Sequence, residues 1–75
     1  MSFKTVFAKD VYHARDKRGW TQPYVAEILS VSVRTYQNIE SAKVTPRLPT
    51  FLKLVCLFEL NIDDYREALG VPLKK

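Results

Sequence analysis

The sequence is poor in the residues that mark catalytic, metal-bound or cross-linked proteins. Its 75 residues contain one cysteine, one histidine and two glycines. One cysteine cannot form an internal disulfide, and no Cys/His cluster has the spacing of a metal site. No Ser/His/Asp set and no phosphate-cradling glycine loop is present, so nucleophilic catalysis and nucleotide binding both lack their residues. The chain is therefore read as a non-enzyme with no metal and no cofactor. No apolar run approaches the roughly eighteen residues of a membrane helix. The opening MSFKTVFAKD is too short in apolar residues, and too broken by charge, for a signal peptide. A cytoplasmic protein with no membrane partner is expected.

What is present suits one small folded domain over residues 1–75. Hydrophobic residues make up 47% of the chain, enough for a core, although the length is near the lower limit for folding without staples. The net charge is +4, and it is unevenly placed. Residues 1–53 hold nine Lys/Arg against four Asp/Glu, whereas residues 54–75 hold three against four. The basic excess lies in the first two-thirds of the chain and favours a polyanionic partner.

The segment Thr21 to Glu40, TQPYVAEILSVSVRTYQNIE, carries most of the information. Val25, Ala26, Ile28 and Leu29 form one apolar stripe at helical period. After a turn at Ser30–Val31, Tyr36 and Ile39 form a thin second stripe, with Ser32 as the cap. Val33, Arg34, Gln37, Asn38 and Ser41 are left to face outward. Arg34 has the chemistry to bond bidentately to guanine O6/N7 and Gln37 to adenine N6/N7, while Val33 suits a thymine methyl. The plain alternative for this face is a solvated polar helix surface.

Around this pair the chain reads as helices only, with no strand and no repeat. A first helix is expected over about residues 5–18, with Phe7, Val11, Ala14 and Tyr12 turned inward and His13 outward. Gly19 ends it, Trp20 plugs the core, and Thr21 caps the next helix. Residues 41–48 form a loop, Pro49 starts a fourth helix reaching about Phe58, and Asn61 caps a short fifth one. Asp63 and Asp64 are read as helix-start electrostatics rather than acid–base groups.

The order and spacing of several pieces resemble one family. They are Arg15…Arg18-Gly19-Trp20-Thr21-Gln22, Val25-Ala26, Val31-Ser32 through Ile39-Glu40, Lys43…Pro46, and Phe51-Leu52-Lys53-Leu54…Asn61-Ile62-Asp63. Together they are similar to the phage repressor and Cro family of helix-turn-helix proteins, also called Xre-like regulators, over about residues 11–65. The resemblance implies an all-α, compact five-helix bundle with a central helix-turn-helix. It also implies a small bacterial, phage or mobile-element regulator, acting as a repressor on double-stranded DNA. Gln22 would touch the DNA backbone and also buttress the recognition helix, and Val33, Arg34 and Gln37 would meet the bases. Asn38, Ser41 and Lys43 would meet phosphate, and Arg47 a narrow minor groove. For Lys43 a solvated loop charge is an equally plain reading. Arg15 and Glu40 would form a structural ion pair that orients the recognition helix.

Three positions depart from the family pattern, since Ser30, Ala42 and Glu59 stand where the family often has glycine. A left-handed backbone there costs a non-glycine residue on the order of 1 kcal/mol, so not all three junctions are expected to keep the family geometry. The fourth helix is apolar nearly all round between residues 51 and 58, with only Lys53 polar, which requires burial on more than one side. Cys56 is expected to be a buried small hydrophobe rather than a nucleophile. The covering material would be Phe3, Val6 and Phe7, or Val71 and Leu73, or a second subunit. A homodimer through Cys56, Leu57 and Tyr65 is the favoured reading, with residues 1–4 and 71–75 as flexible or dimer-associated tails. Such a dimer would sit on a palindromic operator with its recognition helices about 34 Å apart. No residues remain for a small-molecule ligand domain. Two alternatives stay open: an antitoxin or other protein-interaction module, and an accessory architectural DNA-binding protein for recombination or transfer.

Overall fold

Hydroxyl side chains begin three of the helices. Ser2, Thr21 and Ser32 lie in extended backbone, and their Oγ atoms accept from the N–H groups of Thr5, Tyr24 and Thr35. They cap α1 (Phe3–Arg18), α2 (Gln22–Leu29) and α3 (Val33–Glu40), each satisfying a donor that has no partner inside the helix. α4 (Leu48–Phe58) has no side-chain cap and places Pro49 in its first turn, where a missing N–H costs nothing. Asn61 accepts from the Asp63 N–H and opens a 3₁₀ turn, Ile62–Tyr65, that runs into α5 (Arg66–Leu69). The computed structural model describes residues 2–72, and among these every regular element is helical. The fold is an all-α five-helix bundle with the α2–α3 helix-turn-helix at its centre.

One core unites the helices. Phe7 and Val11 from α1, Val25, Ala26 and Leu29 from α2, and Tyr36 and Ile39 from α3 meet Leu54, Phe58 and Tyr65. Two residues expected to face inward from α1 and α2 are not in it. Tyr12 is exposed, and Ile28 is 40% exposed. At about 100° per residue, Ile28 lies far off the axis of the Val25–Ala26–Leu29 stripe, and Tyr12 lies farther still from Phe7, Val11 and Ala14. Eight residues give α2 barely two turns, so its buried stripe stays narrow.

α1 starts two residues before the expected residue 5. Ser2 supplies the cap, and Phe3 stacks on Phe7 at 5.4 Å and meets Phe51 and Tyr65 edge-on at 5.7 and 5.5 Å. Residues 2–4 are therefore part of the bundle and not a tail. At the other end the Val71 N–H donates to the Arg66 carbonyl at 2.9 Å, and Arg66 Nη1 donates to the Pro72 carbonyl at 2.7 Å. Met1 and residues 73–75, including Leu73, lie outside the described residues.

The three glycine departures also turn out differently from the expectation. Ser30, Ala42 and Glu59 all adopt the left-handed backbone, at φ 59°, 63° and 53°. Each is followed by a residue whose N–H closes back on the helix: Val31 on Ala26, Lys43 on Asn38 and Leu60 on Val55, at 3.0, 2.9 and 3.0 Å. Val31 and Leu60 also pack against the core. These bonds and contacts, the usual furniture of a left-handed helix end, offset a penalty of about 1–2 kcal/mol per residue.

Candidate nucleic-acid interface

α3 turns Tyr36 and Ile39 into the core, and the same 3.6-residue period forces Val33, Arg34 and Gln37 to the outside, where all three are exposed. Asn38 sits at the edge, half-buried, and its carbonyl accepts from the N–H groups of Lys43 and Val44 at 2.9 and 3.3 Å. That double bond folds the loop back beside α3, with Ser41 exposed and its Oγ donating to the same carbonyl. Gln22, at the start of α2, is brought opposite by the helix-turn-helix crossing. Gln22, Arg34, Gln37, Asn38, Ser41 and Lys43 line one shallow polar hollow of about 330 Å³. Arg47 is exposed but borders a different crevice, beside Val31, Ser32, Thr35 and Thr45. Thr35 is exposed, and its hydroxyl is engaged locally with Ser32 at 2.9 Å. Among the described residues, the side chains of Arg34, Lys43 and Arg47 make no hydrogen bond or ion pair.

The hollow rests on a polar hub. Arg15 meets Glu40 side-on, Nε to Oε2 and Nη2 to Oε1, both at 2.8 Å. A third guanidinium nitrogen, Nη1, donates to the Trp20 carbonyl at 2.8 Å, which ties α1, the α1–α2 junction and α3 together. The Tyr36 hydroxyl donates to Glu40 Oε2 at 2.5 Å, and Gln22 Nε2 donates to Oε1 at 3.1 Å. Each carboxylate oxygen thus accepts two bonds, a full complement for an ionised carboxylate. The ion pair is well covered, with side-chain exposures of 14% for Arg15 and 7% for Glu40.

Burial alone would raise the Glu40 pKa. The bonds from Arg15, Tyr36 and Gln22, together with the Arg15 charge, outweigh it and hold the carboxyl below its ordinary value of 4.5. The bond to Glu40 keeps Arg15 more firmly protonated. Burial, reinforced by Glu40, pushes the Tyr36 hydroxyl up. A carboxylate at a helix C-terminus opposes the helix dipole; here the guanidinium offsets that penalty and gives α3 a fixed bearing against α1. Tyr36 was legible as core but not as a hub member, although its spacing of four from Glu40 puts both on one helix face. Arg18 lies over Trp20 and Phe58 at 5.7 and 5.2 Å and donates to the Ala14 carbonyl.

Of the three expected subunit contacts, Tyr65 needs correction. Tyr65 is 1% exposed, and its hydroxyl donates to Asp10 Oδ2 at 2.8 Å, so it belongs to the core of a single chain. Burial and then the Asp10 bond push its pKa up. Leu57 is half-buried against the same core. Cys56 is exposed rather than buried, because it lies about half a turn from Leu54 and Phe58 on α4. With Leu48 and Leu52 it forms an outward row at a spacing of four, and Leu48 is 67% exposed.

Among the described residues, no group of three or more His, Cys, Asp or Glu converges as a metal site, and no helix is long and apolar enough to cross a membrane. No curated protein and no solved structure matches the chain. A family model described as helix-turn-helix matches residues 11–65, most of the sequence and all of α2 and α3. The chain belongs to the phage repressor and Cro-like (Xre-type) helix-turn-helix family of DNA-binding proteins.

Proposed function

We propose that the protein is a sequence-specific regulator of transcription, a repressor, that reads the major groove of double-stranded DNA with α3. The observation that carries this reading is the outward face of α3. Arg34 and Gln37 stand exposed on it, and the helix is fixed from behind by the Arg15–Glu40 pair. A reading helix needs side chains free to meet base edges and a backbone that holds its bearing. Arg34 suits guanine, Gln37 adenine and Val33 a thymine methyl. Gln22, Asn38, Ser41 and Lys43, around the same hollow, meet phosphate and set register, and Arg47 reaches the backbone or an adjoining minor groove.

The test is selection of bound sequences from random duplex DNA, repeated with Arg34→Ala and Gln37→Ala. Each variant is expected to lose preference at its own base pair, by roughly 1–3 kcal/mol of discrimination. A uniform loss of affinity with the preferred site intact would move both residues to the phosphate class.

The exposed row Leu48–Leu52–Cys56 favours a homodimer on a palindromic site. It continues into an apolar groove of about 300 Å³ that includes Leu48, Phe51, Ile62 and Leu69. Leu48→Asp is expected to shift sedimentation from dimer to monomer and to weaken operator binding. A wild-type protein that sediments as a monomer both free and on DNA would overturn the dimer and favour docking of a different protein on that face.

A further inference from the structure

We propose that Tyr12 is a positioning residue for base reading. Its ring covers the Arg15 guanidinium and shields the Arg15–Glu40 pair, so that the bearing of α3 is the same at low and at high salt. The inference rests on the reading of α3 given above and adds the element that guards the orientation of that helix.

Tyr12 is an aromatic residue that the core does not use. It is 43% exposed, and among the described residues its hydroxyl makes no hydrogen bond. Its ring is nevertheless placed. The Arg15 Cζ lies 5.6 Å from the ring centroid, within the range of a cation–π contact. The two residues are three apart on α1, a spacing that makes them neighbours on the helix surface. The His13 ring stands edge-on to Tyr12 at 5.4 Å.

A guanidinium can be satisfied in its plane and still be bare on its faces. Arg15 Nε and Nη2 donate to Glu40 and Nη1 donates to the Trp20 carbonyl, all at 2.8 Å. These donors lie in the guanidinium plane, so none of the three bonds protects a face. A delocalised, weakly hydrated cation accepts an aromatic ring there, and Tyr12 supplies one. The Arg15 side chain is accordingly only 14% exposed, although the residue beside it faces solvent. Exposed charges are screened by salt over a Debye length of about 8 Å at physiological ionic strength, and covered ones much less. Phosphate contacts to DNA weaken as salt rises. An orientation held by a covered pair does not follow them, so preference for a base persists while affinity falls.

The test compares the wild type with Tyr12→Phe, which keeps the ring and drops the hydroxyl, and with Tyr12→Ala. Tyr12 lies outside the core, and all three proteins are measured well below their melting temperatures. Solvent exchange of the Arg15 Nε–H, followed by NMR in the DNA-free proteins, provides a readout independent of binding. Selected-site profiles are collected at low and at physiological salt. In the wild type and in Tyr12→Phe the Nε–H is expected to exchange slowly, and base preference to be equal at both salts while affinity falls. In Tyr12→Ala the Nε–H should exchange faster, and preference at the base pairs read by Arg34 and Gln37 should drop about threefold at the higher salt.

If Tyr12→Phe behaves as Tyr12→Ala does, the hydroxyl is what acts, as on a phosphate, and the proposal falls. If Tyr12→Ala keeps both the slow Nε–H and the salt-independent preference, Tyr12 guards nothing and the proposal is overturned. A preference that falls equally at both salts in Tyr12→Ala also overturns it, since shielding from salt is then not what the ring supplies. If the wild type prefers no sequence at either salt, the reading of α3 fails, and the Nε–H exchange alone decides whether Tyr12 covers the pair.

Discussion

The two ends of the bundle are held by different kinds of force. Around α3 the joints are polar and directional: Arg15, Tyr36 and Gln22 converge on one carboxylate at 2.5–3.1 Å. Around α4 and α5 they are apolar and tolerant. Phe7 lies 5.1 Å from Phe51 and 5.6 Å from Tyr65, and Phe3 closes the cluster. Hydrogen bonds fix angles, whereas hydrophobic burial rewards area removed from water without fixing direction. α3, the helix proposed to read DNA, is aimed by the first kind, and α4 and α5 are held by the second. At the apolar end the Tyr65 hydroxyl donates to the Asp10 carboxylate, a part-buried bond that pins the 3₁₀ turn to α1.

The largest effect should come from breaking the apolar end. Phe7→Ala leaves a cavity under three rings and is expected to cost about 3–5 kcal/mol, seen as a large fall in thermal midpoint. The base preference of whatever fraction stays folded should be unchanged. Glu40→Ala strikes the polar end. It strands Arg15 and Tyr36 and is expected to cost about 3 kcal/mol, the low end for breaking a covered pair. In contrast to Phe7→Ala, it should also disturb DNA binding at temperatures where the variant is fully folded. An unchanged melting curve for Glu40→Ala would remove the pair from any structural role.

Acid sharpens the same contrast. Because the folded Glu40 pKa lies below its ordinary value of 4.5, the folded state holds its proton less tightly than the unfolded chain. Its contribution is fully present above about pH 4.5. It is lost as the pH falls through the folded value. Urea midpoints measured from pH 6 downward should decline for the wild type more than for Glu40→Gln, which has no carboxyl to titrate. Parallel declines would place the acid sensitivity elsewhere.

The smallest effect is expected at the left-handed junctions. Ala42→Gly beside α3 and Glu59→Gly after α4 should each stabilise by about 0.5–1 kcal/mol, because relief of the left-handed penalty exceeds glycine's added freedom in the unfolded chain. The gain should be alike at both ends of the molecule, since this strain resides in the backbone and not in either type of packing. A gain at one junction only would show that the local contacts differ in how well they accommodate the side chain.

Much of the helical frame could be read from residue types acting on their near neighbours. Thr21, Ser32 and Asn61 cap as their side chains dictate, Gly19 ends α1, and the period of α3 sends Arg34 and Gln37 outward while Tyr36 and Ile39 go in. Misreadings arose where direction depends on distant partners. Tyr65 finds Asp10 55 positions away, so nothing near it in sequence shows that its hydroxyl is satisfied within the chain. Cys56 and Ile28 are apolar residues in short apolar helices, where composition names burial but only the packing axis decides which side is buried. Ser30, Ala42 and Glu59 show that an unfavourable backbone preference yields when the following residues supply bonds and burial. Gln22 was legible as a buttress of α3, but its partners there, Glu40 and Gln37, lie 18 and 15 positions away and were not.

The Tyr65–Asp10 bond also bears on the order of assembly. Arg15 and Glu40 are separated by 25 residues, whereas Asp10 and Tyr65 are separated by 55. Closing the longer span costs about 0.7 kcal/mol more in chain entropy. Every residue of the Arg15–Glu40 hub has been synthesised by position 40, while the aromatic belt waits for Phe51 and Tyr65. The hub that fixes the bearing of α3 is therefore the shorter of the two loops to close, and the aromatic belt is the longer.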